Sequence, residues 1–166
     1  MAGHIIYVHT TIPAPPEVVW EVITDVGHAD RILRSVRRCA PVTEGGYDVG
    51  TRWHEERTLF GHHGDGERQV VECEPPRRTV VETRLGHDVI RTSYRITPFG
   101  FTGDRSRLAM TTRLDTSGRP LLSNVAWELF GGLTQGHTRR ILEQDLEDIA
   151  AEAVRRARGA APATAA

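Results

Sequence analysis

The chain has 166 residues, 39% hydrophobic and 26% charged, the make-up of one globular domain with a real core and not of a disordered chain. Its 21 basic and 22 acidic residues leave a net charge of -1, so the balance gives no footprint for nucleic acid or an anionic membrane. Every basic residue is Arg and none is Lys, which removes Schiff-base chemistry from a lysine side chain.

Residues 4–12, HIIYVHTTI, are rich in β-branched residues and end at Pro13, which predicts a first strand. Pro15 and Pro16 suit a helix start, and Glu17 suits the positive end of its dipole. Val19, Trp20 and Ile23 form an apolar stripe, and Gly27 is the expected stop. Residues 28–36 predict a second short helix or turn. Asp25, His28 and Asp30 cluster there and read as capping and turn residues.

From 36 to 115 the pattern is that of strands, expected at 36–43, 49–60, 66–74, 78–85, 88–97 and 106–115. Gly-, Pro- and Asp-rich breaks separate them, including His62-His63-Gly64-Asp65-Gly66, read as a surface loop. Breaks with no helix between them predict an antiparallel meander. After Pro120 the period becomes helical to about 158, with Leu122, Val125, Ala126, Leu129 and Leu133 continued by Ile141, Leu142, Leu146, Ile149 and Ala153. Gly131, Gly132 and Gly136 interrupt it and suggest a kink or a close backbone approach. Residues 1–158 are expected to form a single domain, and 159–166 a disordered tail.

Several classes are excluded or disfavoured. Cys39 and Cys73 stand alone, without CxxC spacing, and are expected as packed, reduced thiols. The N-terminus has no signal-peptide pattern and no run approaches the ~20 apolar residues of a membrane span. The expected location is the cytoplasm. No Gly-rich phosphate loop, Ser nucleophile elbow or dinucleotide fingerprint is present. His54 and Glu56 share a strand face but lack a third metal ligand, so no metal is expected.

The order of strand, two short helices, six strands and long helix resembles the START/Bet v 1-like (SRPBCC) superfamily. The carrying residues are Ile12-Pro13-Ala14-Pro15-Pro16-Glu17-Val18-Val19-Trp20 with Asp25, Gly50-Thr51-Arg52-Trp53-His54-Glu55-Glu56-Arg57, and Glu74-Pro75-Pro76-Arg77-Arg78. The resemblance covers about residues 4–155 and is nearest the polyketide cyclase/dehydrase branch. It implies an α+β helix-grip fold, a seven-stranded curved antiparallel sheet wrapped around the long C-terminal helix, with an internal cavity. Trp53-His54-Glu55-Glu56-Arg57 is similar to a Trp-x-Ser-Glu-Arg segment of aromatase/cyclases. That match implies Trp53 as cavity wall and Arg57 as polar anchor, with Glu55 in place of the Ser.

Strand alternation sorts the remaining candidates. Val49, Thr51, Trp53, Glu55, Arg57 and Leu59 are expected to face inward. The apolar-leaning faces of the later strands carry Ile90, Thr92, Tyr94 and Ile96, then Leu108, Met110, Thr112 and Leu114. Tyr94, Thr92 and Thr112 can hydrogen-bond a ligand or simply satisfy each other, and Tyr7 has the same status. His137 lies between Leu133 and Ile141 and suits proton transfer. Trp127 and Asn124 are placed at the cavity mouth.

The expected function is cyclisation or dehydration of a poly-keto intermediate without a cofactor. Arg57, Glu55, His137 and Tyr94 are the expected catalytic set. Trp53, Thr92, Leu108, Met110, Thr112, Trp127, Leu129 and Leu133 are expected to shape the substrate cavity. The alternative is a non-catalytic carrier of a lipid or other hydrophobic molecule, and a third reading is a regulatory module acting through a protein partner. The expected partners are a hydrophobic or polyketide substrate, presented by an acyl carrier protein, in a monomer or homodimer that binds no nucleic acid and enters no membrane.

Overall fold

A computed structural model describes residues 5–59, 62–85, 88–115 and 135–160. Strand β1 (Ile5–Ile12) leads into helix α1 (Pro16–Ile23), a 3-10 turn (Val26–His28) and the one-turn helix α2 (Ala29–Ile32). Six strands follow: β2 (Val36–Pro41), β3 (Arg52–Leu59), β4 (His62–Glu74), β5 (Arg78–Leu85), β6 (Asp88–Phe99) and β7 (Arg105–Asp115). Helix α3 (Gln135–Ala160) closes the described chain.

The strands form one antiparallel sheet in the order β1-β7-β6-β5-β4-β3-β2. The chain therefore begins at one edge, crosses by α1 and α2 to the other edge, and returns as a meander. Pro16 at the first turn and Glu17 behind it start α1 as the sequence implies. The helix stops earlier than Gly27, at a C-cap on Thr24, whose hydroxyl and amide both bond the Trp20 carbonyl, at 2.8 and 3.0 Å.

Alternation is clean along β1, β6 and β7. Ile6, Val8 and Ile12 are buried, as are Ile90, Thr92 and Ile96, and Ser106, Leu108, Met110, Thr112 and Leu114. These faces meet Leu146, Ile149 and Ala153 of α3 in the main core. A second core joins Trp53, Val70 and Val81, with the free thiols Cys39 and Cys73 packed against it. Tyr7 points the other way, 48% exposed on the outer face, because its neighbours Ile6 and Val8 take the inward parity.

The expected loop at 62–66 is the start of β4. Its residues pair with β3 in unbroken register, Glu55 opposite Gly66 and Arg57 opposite Gly64. The turn-like composition is overridden by the ladder, and the glycines stand opposite the two buried charged residues of β3. Trp127, Leu129, Leu133 and Asn124, and the helix expected from 120 to 134, lie outside the described residues. No described helix is long and apolar enough to cross a membrane.

Candidate functional site

Between the sheet and the α1–α2 segment lies a cavity lined by Ile23, Asp25, Val26, Ile32, Leu33, Tyr47, Trp53, Glu55, Arg57, Arg68, Tyr94 and Ile149, among others. Its enclosed interior is about 50 Å³, and the empty space with the open mouth counted is about 520 Å³. The interior is thus wide enough for a few waters in this conformation.

The inward face of β3 builds the polar wall. Trp53, Glu55 and Arg57 are 4%, 5% and 6% exposed. The expected inward pattern holds over these three and fails at Val49, which precedes the strand and is exposed. Glu55 accepts a bond from the Trp53 indole N–H at 3.0 Å, and its other oxygen takes the Arg57 Nε. That same oxygen lies 3.2 Å from an Arg68 nitrogen. Arg57 Nη1 then reaches Asp145 Oδ2 of α3 at 2.5 Å and the Ser35 hydroxyl at 3.2 Å. Ser35 donates to the second Asp145 oxygen at 2.5 Å.

Four charges thus balance inside the wall, Glu55 and Asp145 against Arg57 and Arg68. Pairing is what makes their burial tolerable. Burial alone would raise the Glu55 pKa. The two guanidiniums, with the Trp53 and Arg57 hydrogen bonds, outweigh it and hold the carboxyl at about 2. For Arg57 burial works against the charge, and Asp145 and Glu55 overcome it, leaving a permanent cation. Glu55 is therefore held as an anion, paired with Arg57 and orienting it. Arg57 Nη2 has no hydrogen-bond partner among the described residues.

Tyr94 stands on β6 and lines the same cavity. Burial pushes its phenol pKa up, so its hydroxyl keeps its proton. It makes no hydrogen bond among the described residues. Tyr47, from the β2–β3 connection, is wedged between Trp20 and Trp53, its ring 6.1 Å and 6.4 Å from theirs. Its hydroxyl bonds Thr79 at 2.9 Å.

The other expected site residues fall elsewhere. Thr92 and Thr112 satisfy each other across β6 and β7 at 3.3 Å. Leu108 and Met110 are fully buried in the main core and do not line the cavity. His137 is exposed. The buried face of α3 passes through Thr138, Asp145, Leu146, Ile149 and Ala153, and His137 lies one residue, about 100°, off that face. The Asp25–His28 pair is a contact at 2.7 Å, but Asp25 caps nothing with its side chain. It binds Arg156 of α3 at 2.7 Å instead, at the cavity edge.

Ser35, Arg68 and Asp145 were not foreseen. Asp145 had a signal: it sits three residues after Leu142 and four before Ile149, on the apolar stripe. Arg68 also had a signal: it shares the parity of the buried Val70 within the strand expected at 66–74. Among the described residues no group of three His, Cys, Asp or Glu side chains is placed to hold a metal.

Solved structures of the same architecture include an aromatase/cyclase, Zhui, from Streptomyces sp. R1128. It is 21% identical with a TM-score of 0.70, over 96% of this chain and 99% of that one. TTHA0849 from Thermus thermophilus is 18% identical with a TM-score of 0.73, over 92% and 98% of the two chains. A START superfamily protein from Mycobacterium smegmatis is 12% identical with a TM-score of 0.65, over 95% and 99%. At these identities the likeness is one of fold. No curated protein matches the chain. The family model described as polyketide cyclase/dehydrase and lipid transport matches residues 4–154, nearly the whole chain, and this places the chain in that family.

Proposed function

We propose that this protein is a cyclase and dehydratase for a poly-β-keto intermediate, working in the cavity between sheet and helices. The observation that carries the reading is the Arg57 guanidinium. It is buried in the cavity wall with Nε and Nη1 fixed by Glu55 and Asp145, and Nη2 is left for a ligand. A donor held this rigidly costs no reorganisation when charge develops on a substrate oxygen.

The chemistry asks little more. The enol form of a 1,3-diketone unit attacks a second carbonyl through its central carbon and closes the ring, and the enol's own proton passes to the attacked oxygen. Arg57 hydrogen-bonds that oxygen as partial negative charge builds on it. Loss of water then gives the conjugated ring. The un-ionised Tyr94 hydroxyl orients one of the oxygens. The apolar wall, with Trp53 and Tyr47, folds the chain so that the reacting carbons meet, and proximity supplies much of the rate. Glu55 orients Arg57 and stays ionised.

The test is turnover of a poly-β-keto thioester, free or on an acyl carrier protein, read as the aromatic product by absorbance and mass. Arg57→Lys keeps the charge and loses the fork, and is expected to cut turnover at least ~10-fold while near-ultraviolet circular dichroism stays native. Unchanged turnover removes Arg57 from the reaction. A bound chain returned unaltered by the native protein favours the carrier function.

A further inference from the structure

We infer that the cavity selects ligands that are electrically neutral at their polar end, ketones, phenols or thioesters, and rejects the matching free carboxylic acids, with Glu55 as the residue that sets this choice. The inference rests on the cavity being the ligand site, as proposed above.

The basis is a charge count at the wall. A lone buried arginine would favour a carboxylate by forming a forked pair with it. Here both cavity arginines are already matched. Arg68 and Arg57 share one oxygen of Glu55, and Arg57 also holds Asp145. The side chains of Glu55, Asp145 and Arg57 are 4%, 3% and 7% exposed, so solvent screens little of this. At the cavity edge Asp25 is likewise matched by Arg156. Counted over the described residues, the wall is neutral before a ligand arrives.

An entering carboxylate therefore finds no uncompensated cation. It must displace Glu55 or Asp145 from an arginine, or remain a buried charge in excess, and both are costly. A ketone, phenol or thioester oxygen needs only the spare Nη2 donor or the Tyr94 hydroxyl, and leaves the count at zero. A product acid released by hydrolysis is expelled by the same rule that admits its thioester.

Two probes of one skeleton test this: 2-acetylnaphthalene and 2-naphthoate, titrated at pH 8 by calorimetry against the full chain. The ketone is expected to bind at least 10-fold tighter. Glu55→Gln removes one negative charge and is expected to erase or reverse the preference. Arg68→Gln, at the more exposed end of the cluster, removes one positive charge and is expected to widen it, and it serves if the Glu55 variant does not fold. Equal binding of the two probes to the native protein, or a preference that neither variant moves, overturns the inference and leaves the cavity as a ligand site. Binding of neither probe counts against the cavity as a ligand site, and the inference falls with it.

Discussion

Arg57 of β3 and Asp145 of α3, 88 residues apart in sequence, meet through Nη1 and Oδ2 at 2.5 Å inside the protein. This contact joins the sheet to the long helix at the cavity wall. It makes the position of the candidate catalytic donor a property of tertiary structure, since β3 alone fixes only one edge of the guanidinium.

Asp145→Ala is expected to be strongly destabilising. Removing one partner of a buried pair leaves an uncompensated charge and costs about 3–5 kcal/mol. Urea unfolding, followed by circular dichroism, checks this. A change under about 1 kcal/mol would mean that the contact is not formed in solution.

Acid sensitivity should follow from Glu55. Its pKa falls from 4.5 to about 2 on folding. A depressed carboxyl contributes stability that is fully present above 4.5 and disappears as the pH drops through 2. The urea midpoint of the native protein should therefore decline across that window. Glu55→Gln, less stable at neutral pH, should decline less. Parallel curves for the two proteins would show that Glu55 is not held by its arginines.

Tyr94→Phe deletes one hydroxyl that no described residue uses. Stability should stay within about 0.5 kcal/mol of native. Turnover on a poly-keto substrate should fall about 3- to 10-fold, the worth of one hydrogen bond to a substrate oxygen. Unaltered turnover would leave Tyr94 as cavity wall only.

Thr92 and Thr112 make a double-mutant cycle. Either single change to Val strands a buried hydroxyl and is expected to cost about 1–3 kcal/mol, while the double change is expected to be nearly neutral. Additive costs would show that the two hydroxyls find other partners.

The sequence was most informative where one face of a strand is apolar. Trp53 in 49–60, and the Ile and Leu runs of the last two strands, fix parity, and from parity the inward placement of Glu55 and Arg57 follows. It was least informative where polar groups depend on distant partners. Nothing near Arg57 in the chain names Asp145 or Ser35, and whether a buried arginine is open or saturated depends on those partners. Residues 62–66 misled for a related reason. Gly and Asp signal a turn locally, yet register with β3 decides, because each glycine falls opposite an inward side chain of the quartet. His137 shows the limit of counting fours along a helix, since an offset of one residue separates the core face from solvent.

The polar contacts of α3 also bear on how the protein can move. Asp145 holds Arg57 and Ser35, Asp148 holds Arg34 at 2.7 Å, and Arg156 holds Asp25. These anchors span three turns of one helix, so a slide of one turn, about 5.4 Å, would break them together. The helix thus behaves as a bolted beam. Tyr47 is held by ring contacts and a single hydrogen bond, on a connection with Gly45 and Gly50 at positive φ. Of the two sides of the cavity, the one carrying Tyr47 is thus held by fewer polar contacts among the described residues.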